Sequence, residues 1–340
     1  MKIRQKIFIL VLLSFGLYGQ RNIPDVVTKV ATSAANWLKI ETGARAIGMG
    51  GAQAAAGIGV AAIPYNPAGI AFIDGSETYY SKSNYLVDIS HNVLAYGRKL
   101  TYTDFVGFHL FYLNSGPIGV TNERYPDGTG EDYHVIDLAF RVTYAKILTD
   151  RLRIGLSLKY IREQIYTTYM QSFSLDIGSN FATGIYGFIL GMSVSNFGPE
   201  VQFHGEGLEE EVPSDISVDS TLAKVTEKFP LPLVFRLGVS NDLIGSKSEF
   251  YRSDVHRLTI AADGINPIDY TVYGSIGLEY AWRELGFLRI GTHIGHDTAD
   301  LSFGGGLHYK VRGLSLGVDY AYMSWGILEN THQYGINIGF

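Results

Sequence analysis

Cysteine is absent from this chain of 340 residues, which excludes disulfide bonds, thiolate metal sites and a lipid anchor on a cysteine. Charged residues make up only 18% of the chain and the net charge is −6, so a nucleic acid is not an expected partner. The mean hydropathy of +0.08 is too low for a helical membrane protein. The apolar run at residues 7–13 is about half the roughly 20 residues that a membrane-spanning helix needs.

The first residues have the order of a secretory signal peptide. Basic residues at positions 2, 4 and 6 precede the apolar run, and the small residue Gly19 precedes Gln20. A basic region, an apolar region and a small residue at the cleavage point are the parts of such a signal. We expect residues 1–19 to be removed, so that the mature protein begins near Gln20.

The chain is rich in glycine, with 40 residues, and in tyrosine, with 23. Between residues 76 and 340, runs of about ten residues alternate apolar with small or polar side chains. The last run places Tyr334, Ile336, Ile338 and Phe340 on one face and Gly335, Asn337 and Gly339 on the other. Successive side chains of a strand point to opposite faces, so such runs are typical of strands between lipid and a lumen. The chain is therefore predicted to be all-β, a transmembrane antiparallel β-barrel over residues 76–340.

About fourteen strands are predicted from these runs. They begin near Ser76, His91, Thr103, Glu131, Arg151, Tyr169, Ile185, Pro230, Val255, Thr271, Gly286, Ala299, Arg312 and Thr331. An even number places both ends of the barrel in the periplasm, where connections are short. The two longest gaps, residues 114–130 and 198–229, both fall on the external side. Residues 241–254 are the exception, because this gap is long on the periplasmic side.

Residues 20–75 do not alternate, and we expect them to form an N-terminal plug. A lumen of fourteen strands needs a plug or conducts. Arg45 is the one charge between Glu41 and Asp74, and buried in a lumen it needs an acidic partner. The inward candidates for that partner are Asp176, Glu279 and Asp319. The residues expected to matter in the plug are Gly43, Arg45, Met49, Gly50, Asn66, Pro67, Ala68 and Gly69.

Charged residues also fall on the inward face of the predicted strands. They are Arg153, Lys159, Asp176, Arg236, Glu279, Arg289 and Asp319. One interpretation is a network of ion pairs and water that braces the lumen. The other is a binding site for a polar head group, and the sequence leaves both open.

The gap at residues 198–229 is acidic and also carries apolar side chains. Its candidate partner-binding residues are Phe203, Leu208, Glu209, Glu210 and Glu211. A solvated loop is the simpler interpretation, but long external loops are where barrels often carry their function.

The sequence shows no signature of an enzyme, and no cofactor is expected. His293 and His296 lie three residues apart on a predicted strand, which would place their imidazoles on opposite faces and argues against a metal site. No nucleophile motif accompanies the histidines and acids of the lumen.

Three blocks near the N-terminus carry a resemblance to a known family. They are Gly43-Ala44-Arg45-Ala46, Met49-Gly50-Gly51-Ala52 and Asn66-Pro67-Ala68-Gly69, which follow residues 37–40. Their order and spacing resemble the N-terminal signature of PorV/PorQ-type proteins, which are FadL-like outer-membrane barrels. Stretches starting at residues 196 and 231 are similar to that family's seventh and eighth strands. The resemblance implies a protein of the outer membrane, in contact with lipid and lipopolysaccharide.

The resemblance also implies a function. PorV/PorQ-type barrels serve type IX secretion, receiving secreted cargo proteins or holding the attachment machinery, so cargo and other secretion components are the expected partners. The alternative is FadL-like uptake of a hydrophobic small molecule past a movable plug. A purely structural barrel is a third possibility.

Overall fold

The structure is a computed structural model that describes residues 29–30, 32–87, 89–212 and 220–340. The side chains of residues 210–212 and 220–223 are outside this description, as is the predicted signal peptide. Among the described residues, no helix is both long and apolar enough to cross a bilayer.

Fourteen long strands form the wall of the molecule. They are β1 (Ser76–Asn84), β2 (Ser90–Lys99), β3 (Asp104–Asn114), β4 (Val135–Ile147), β5 (Leu152–Ile165), β6 (Thr168–Ala182), β7 (Ile189–Phe197), β8 (Val234–Gly245), β9 (His256–Pro267), β10 (Tyr273–Trp282), β11 (Gly286–Ile294), β12 (Leu301–Val311), β13 (Leu314–Ser324) and β14 (Asn330–Gly339). Two further two-residue strands, His204–Gly205 and Tyr251–Arg252, pair with the ends of β6 and β8 and complete a sheet of 16 strands.

The wall is a closed antiparallel barrel. Each wall strand pairs with its neighbours in the chain, and β1 pairs with β14, with Tyr80 opposite Ile336. The alternation predicted from the sequence is present in β5, where Leu156 and Leu158 are about half exposed while Ser157 and Lys159 are fully buried. The prediction of a transmembrane antiparallel barrel of about fourteen strands is confirmed.

The two ends of the barrel differ in their connections. We call the end where β1 begins and β14 finishes the terminal end, and the opposite one the loop end. Both long connections, residues 115–134 and 198–233, lie at the loop end, as the sequence predicts. The tightest turn at the terminal end joins β12 to β13 through Arg312 and Gly313, both at positive φ, as a two-residue hairpin requires. The exceptional long connection at the terminal end is present as residues 246–255.

The part of the chain before β1 folds into short turns. From residue 32 to residue 75, which we call the N-terminal segment, it contains one α-helical turn, Ala44–Gly48, and the 3₁₀ turns Asn36–Lys39, Val60–Ala62 and Pro67–Phe72. Its apolar side chains Val60, Ile63 and Ile70 are buried in one cluster with Phe105 of β3 and Ile161 of β5. The segment therefore shares its core with the inward side of the barrel wall.

Candidate functional site inside the barrel

The N-terminal segment packs directly against inward-facing glycines of the barrel wall. Nine wall strands supply one each: Gly97, Gly107, Gly155, Gly178, Gly191, Gly238, Gly277, Gly291 and Gly304. A Cβ at Gly191 would overlap the Ala54 carbonyl, and one at Gly277 would overlap the Met49 carbonyl. The backbone of the segment thus lies where wall side chains would otherwise project.

The Asn66-Pro67-Ala68-Gly69 turn is held on β5 and β6. Asn66 is fully buried, and its side-chain oxygen accepts a hydrogen bond from the Ala68 N–H at 3.1 Å, which caps the turn Pro67–Phe72. Its amide nitrogen donates to the carbonyls of Ala54 at 2.6 Å and Ser179 at 3.0 Å. One asparagine thereby joins two parts of the segment to the wall.

The Met49-Gly50-Gly51 block lies against β10, β11 and β12. Met49 is fully buried, and the Gly50 N–H donates to Ser302 Oγ at 3.1 Å. Gly50 and Gly51 have φ of 60° and 73°, a conformation that favours glycine. Gly43, at the start of the preceding Gly43-Ala44-Arg45-Ala46 block, has a φ of 94°, which likewise favours glycine.

Arg45 extends from the segment to the wall and binds Glu279 of β10. Its Nε lies 2.9 Å from Glu279 Oε2, and its Nη2 lies 3.2 Å from Oε1. Of the three acidic residues that the sequence offers as partners of Arg45, Glu279 is therefore the one that binds it. Arg45 Nη1 also donates to Gln53 Oε1 and to the Ala56 carbonyl, at 3.1 and 2.9 Å.

Glu279 is the centre of a larger charged network. Arg257 Nη1 lies 3.0 Å from Glu279 Oε1, and Arg289 Nε lies 2.7 Å from Oε2. Arg289 continues to Asp319 at 2.6 Å, and His308 contacts the same carboxylate at 3.0 Å. The predicted inward residues Glu279, Arg289 and Asp319 are thus brought together in one network of ion pairs.

A second network joins β4 to β7. Lys159 Nζ lies 2.7 Å from Asp176 Oδ1 and also binds the Asn196 side chain. Arg141 approaches the other Asp176 oxygen at 3.5 Å. All three charged side chains are buried. The sequence prediction included Lys159 and Asp176 but missed Arg141, although its inward position follows from the alternation in β4.

The remaining predicted lumen residues contact aromatic rings of the segment. The guanidinium of Arg153 lies 4.3 Å from the centre of the Phe72 ring, and that of Arg236 lies 5.6 Å from the Tyr65 ring. Such contacts orient a cation over a π face. Arg153 and Arg236 therefore brace the segment and are separate from the Glu279 network.

Asp263 of β9 is a site residue that the sequence analysis missed. Its Oδ2 accepts hydrogen bonds from the backbone N–H groups of Gln53 and Ala54, at 2.8 and 2.7 Å. Asp263 falls on the inward face of β9 with Ala261 and Ile265, so alternation would have identified its direction. Alternation does not show that Asp263 contacts the N-terminal segment.

At the terminal end, a polar cavity of about 300 Å³ separates the segment from the wall. Arg45, Glu77, Arg289, His308 and Asp319 line part of it. Acidic and basic side chains are interspersed in this lining, which suits water and ion pairs better than an apolar ligand.

At the loop end, the segment is fixed by contacts that the sequence analysis did not predict. Trp37 stacks on Phe111 with ring centres 5.5 Å apart, and its indole N–H donates to Glu163 at 3.1 Å. Lys39 pairs with Asp269 at 2.7 Å. These contacts lie next to the external connections, so they tie the segment to the loop end.

The expectation that His293 and His296 point to opposite faces is wrong. Their rings lie 5.7 Å apart, because β11 ends at Ile294 and Gly295 turns the chain at φ 80°. His293 Nε2 lies 3.0 Å from Glu41. Burial, reinforced by His293, lowers the pKa of His296. In the described part of the chain, no group of three or more His, Asp or Glu side chains could hold a metal ion.

The long acidic connection at the loop end has an ordered base. Phe203 packs against Phe229 with ring centres 6.3 Å apart, and the Lys224 N–H donates to the Leu208 carbonyl at 2.7 Å. Beyond this point the strands Glu209–Val212 and Ser220–Ala223 form a hairpin. Glu209 is exposed, and the side chains of Glu210 and Glu211 lie outside the described residues.

A closed barrel of fourteen strands with an apolar outer face and a polar, charged inner face defines an outer-membrane β-barrel. A family model described as "Type IX secretion system protein PorV" matches residues 24–230, which is 207 of the 340 residues. The chain belongs to the PorV family. No curated protein sequence matches it.

Solved structures share the fold at low identity. The CymD monoaromatic hydrocarbon channel is 13% identical with a TM-score of 0.54, over 88% of this chain and 97% of that chain. The toluene transporter TodX of Pseudomonas putida is 13% identical with a TM-score of 0.54, over 87% and 96%. A FadL homologue of Pseudomonas aeruginosa is 10% identical with a TM-score of 0.53, over 88% and 98%. These similarities establish the barrel fold and nothing about a substrate.

Proposed function

We propose that this protein is an outer-membrane component of type IX secretion that works through its loop-end surface. It receives secreted cargo or holds the attachment machinery there, after removal of residues 1–19. Membership of the PorV family supports this proposal most directly. No catalytic step and no cofactor are part of it.

The N-terminal segment acts, in this proposal, as a plug that closes the lumen. Support comes from the nine inward glycines that receive its backbone and from the Arg45–Glu279 pair. Contacts at the loop end, such as Trp37 with Glu163, hold the N-terminal segment beside the external connections and support this role. A barrel closed in this way offers its loops, and not its lumen, to a protein partner.

The acidic hairpin at residues 209–223 is the proposed contact for a partner. It extends from a base that is held independently, because Val201 and Phe229 pair through backbone hydrogen bonds of 2.8 and 2.9 Å. The Leu208 carbonyl and the Lys224 N–H lie 2.7 Å apart, so a short linker can replace the hairpin without disturbing this base. The barrel itself is left intact by this change.

The test is co-purification from the native host with identification of bound proteins by mass spectrometry. We expect secreted proteins or secretion components with the full-length barrel, and their loss when residues 209–223 are replaced by two glycines. The matched control shortens residues 247–252 at the terminal end and keeps those partners. Equal recovery of partners from both variants would refute the hairpin's role, and no protein partner with any form would refute the secretion proposal.

Uptake of a hydrophobic compound remains the second candidate, and one observation favours it. A cavity of about 230 Å³ at the loop end is lined by Trp37, Phe203 and Phe229 with Ala34 and Ala35, and also by the polar residues Ser33, Asn36 and Glu163. Deeper in, the cavity beside Leu38, Ile40 and Pro64 is only about 10 Å³. Uptake therefore requires the segment to move, and a bound apolar compound that changes Trp37 fluorescence would favour this function.

A further inference from the structure

The outer face of the wall carries an apolar groove of about 430 Å³ that crosses β4 to β8. Its sides are formed by Tyr144, Ile154, Leu156, Ile177, Met192 and Phe235. These six side chains are all partly exposed on the lipid-facing side of the barrel. No residue of the N-terminal segment lines the groove, so it lies outside the lumen.

A small residue explains the groove. Ser179 of β6 lies in register between Ile154 of β5 and Met192 of β7, where a larger outward side chain would fill the depression. On the inner side of the same patch, a Cβ at Gly178 would overlap Asn66 and one at Gly155 would overlap Pro67. The register between β6 and β7 shifts between Leu175 and Ile177, but from Ile177 to Ala182 the pairing of β6 with both neighbours is unbroken, so the groove at Ser179 is a depression in the wall and not an opening through it.

A basic side chain lies at the terminal end of the groove. Arg151 belongs to the turn between β4 and β5, and its guanidinium lies beside Gly184 of the turn between β6 and β7. Arg151 therefore lies on the terminal-end side of the groove centre, three residues or roughly 10 Å from Ile154 along the direction of β5.

The charge of Arg151 is available to a ligand. Its side chain is 57% exposed, and its acidic neighbour Asp150 is 3.9 Å away and 87% exposed. An exposed ion pair of this kind contributes little to stability. Lys146, at the edge of the same region, differs because its Nζ is held by Asp104 at 2.6 Å.

We propose that the groove binds an acyl chain of a glycerophospholipid whose phosphate pairs with Arg151. The apolar sides match a hydrocarbon chain, and guanidinium groups bind phosphate through charge-assisted hydrogen bonds. The terminal end faces the leaflet on the periplasmic side, so the ligand comes from that leaflet. This site goes beyond the secretion proposal and does not depend on it.

The test uses native mass spectrometry of the full-length barrel after extraction in mild detergent. We expect one retained phospholipid per wild-type barrel. Ser179→Phe fills the groove and should lower the retained fraction at least tenfold. Thr78→Phe is the matched control, because it adds the same ring at another outward position of the wall, and it should retain the lipid.

Arg151→Gln is a second variant, at an exposed turn, and we expect the barrel to fold normally because the ion pair of Arg151 with Asp150 is long, at 3.9 Å. It should weaken retention about tenfold and abolish any preference for phosphate over a neutral diacylglycerol. Equal phospholipid retention by wild type and Ser179→Phe would overturn the proposal. So would a wild-type barrel that retains no lipid, or one that retains lipid A or a protein in place of phospholipid.

Discussion

Arg45 of the N-terminal segment and Glu279 of β10 are joined by two hydrogen bonds, at 2.9 and 3.2 Å, although 234 residues separate them in the chain. Glu279 is almost fully buried and also binds Arg257 and Arg289. A single carboxylate thus holds the segment to the wall and compensates three guanidinium groups. The consequences of removing either partner differ.

Glu279→Gln should destabilise the barrel more than Arg45→Gln does. Without Glu279, three guanidinium groups lie close together and only Asp319 beside Arg289 and Glu284 beside Arg257 compensate them, so we expect the free energy of unfolding to fall by about 3–5 kcal/mol. Without Arg45, Glu279 keeps two partners, and we expect the free energy of unfolding to fall by about 1–3 kcal/mol. Urea unfolding in detergent micelles measures both. Equal losses would show that Glu279 is not the centre of the network.

Gly191→Ala should displace the N-terminal segment. The added Cβ would overlap the Ala54 carbonyl, and neither backbone can yield without breaking strand pairing, so we expect a loss of about 1–3 kcal/mol. Limited proteolysis should then cut within residues 50–60. Gly264→Ala is the control, because its Cβ would meet nothing nearer than 3.9 Å and the segment should stay protected.

Asn66→Asp should release the turn at residues 66–69 more effectively than Asn66→Ala. The amide donates to the carbonyls of Ala54 and Ser179, and a carboxylate of the same shape would place negative charge against both. We expect the Asn66→Asp substitution to lower the free energy of unfolding by about 2 kcal/mol or more. Maleimide labelling of a cysteine at Ala68, in a chain without other cysteines, reports the release. Protection of the Asn66→Asp variant equal to that of its Ala68→Cys parent would contradict the assignment.

Trp37 should fluoresce as a shielded residue in the resting protein. It is almost fully buried, stacked on Phe111 and bonded to Glu163. With Trp282 and Trp325 changed to Phe, we expect a blue-shifted emission that acrylamide quenches weakly. Glu163→Gln leaves the ring packed but weakens its hydrogen bond, and should increase quenching moderately. Strong quenching in the parent protein would show that the segment is loose at the loop end.

The strands were predictable because period-two alternation is a local signal. Predicted and observed starts agree within one or two residues for most strands. The sequence predicts that β4 begins near residue 131, but it begins at Val135, because a short hairpin at residues 118–119 and 132–133 precedes it. The sequence predicts that β7 begins near residue 185, but it begins at Ile189, because Tyr186 and Gly187 turn the chain at positive φ. Turns that contain apolar residues imitate strand in the sequence.

The contacts of the site were less predictable because they join distant parts of the chain. Alternation indicates that Glu279, Asp176 and Asp319 face inward, but it does not say which of them Arg45 reaches. The contacts of Asp263 with the segment and of Glu163 with Trp37 depend on how the segment folds, and that fold has no periodic signal. The roles of Phe203, Leu208 and Glu209 to Glu211 remain predictions.

We propose that the N-terminal segment closes the lumen, so that function lies at the loop-end surface. This closure can be measured as the conductance of the purified protein in planar bilayers. We expect no stepwise conductance for the intact protein and large open channels after removal of residues 33–72. Stable conductance by the intact protein, equal to that of the shortened one, would refute the closure.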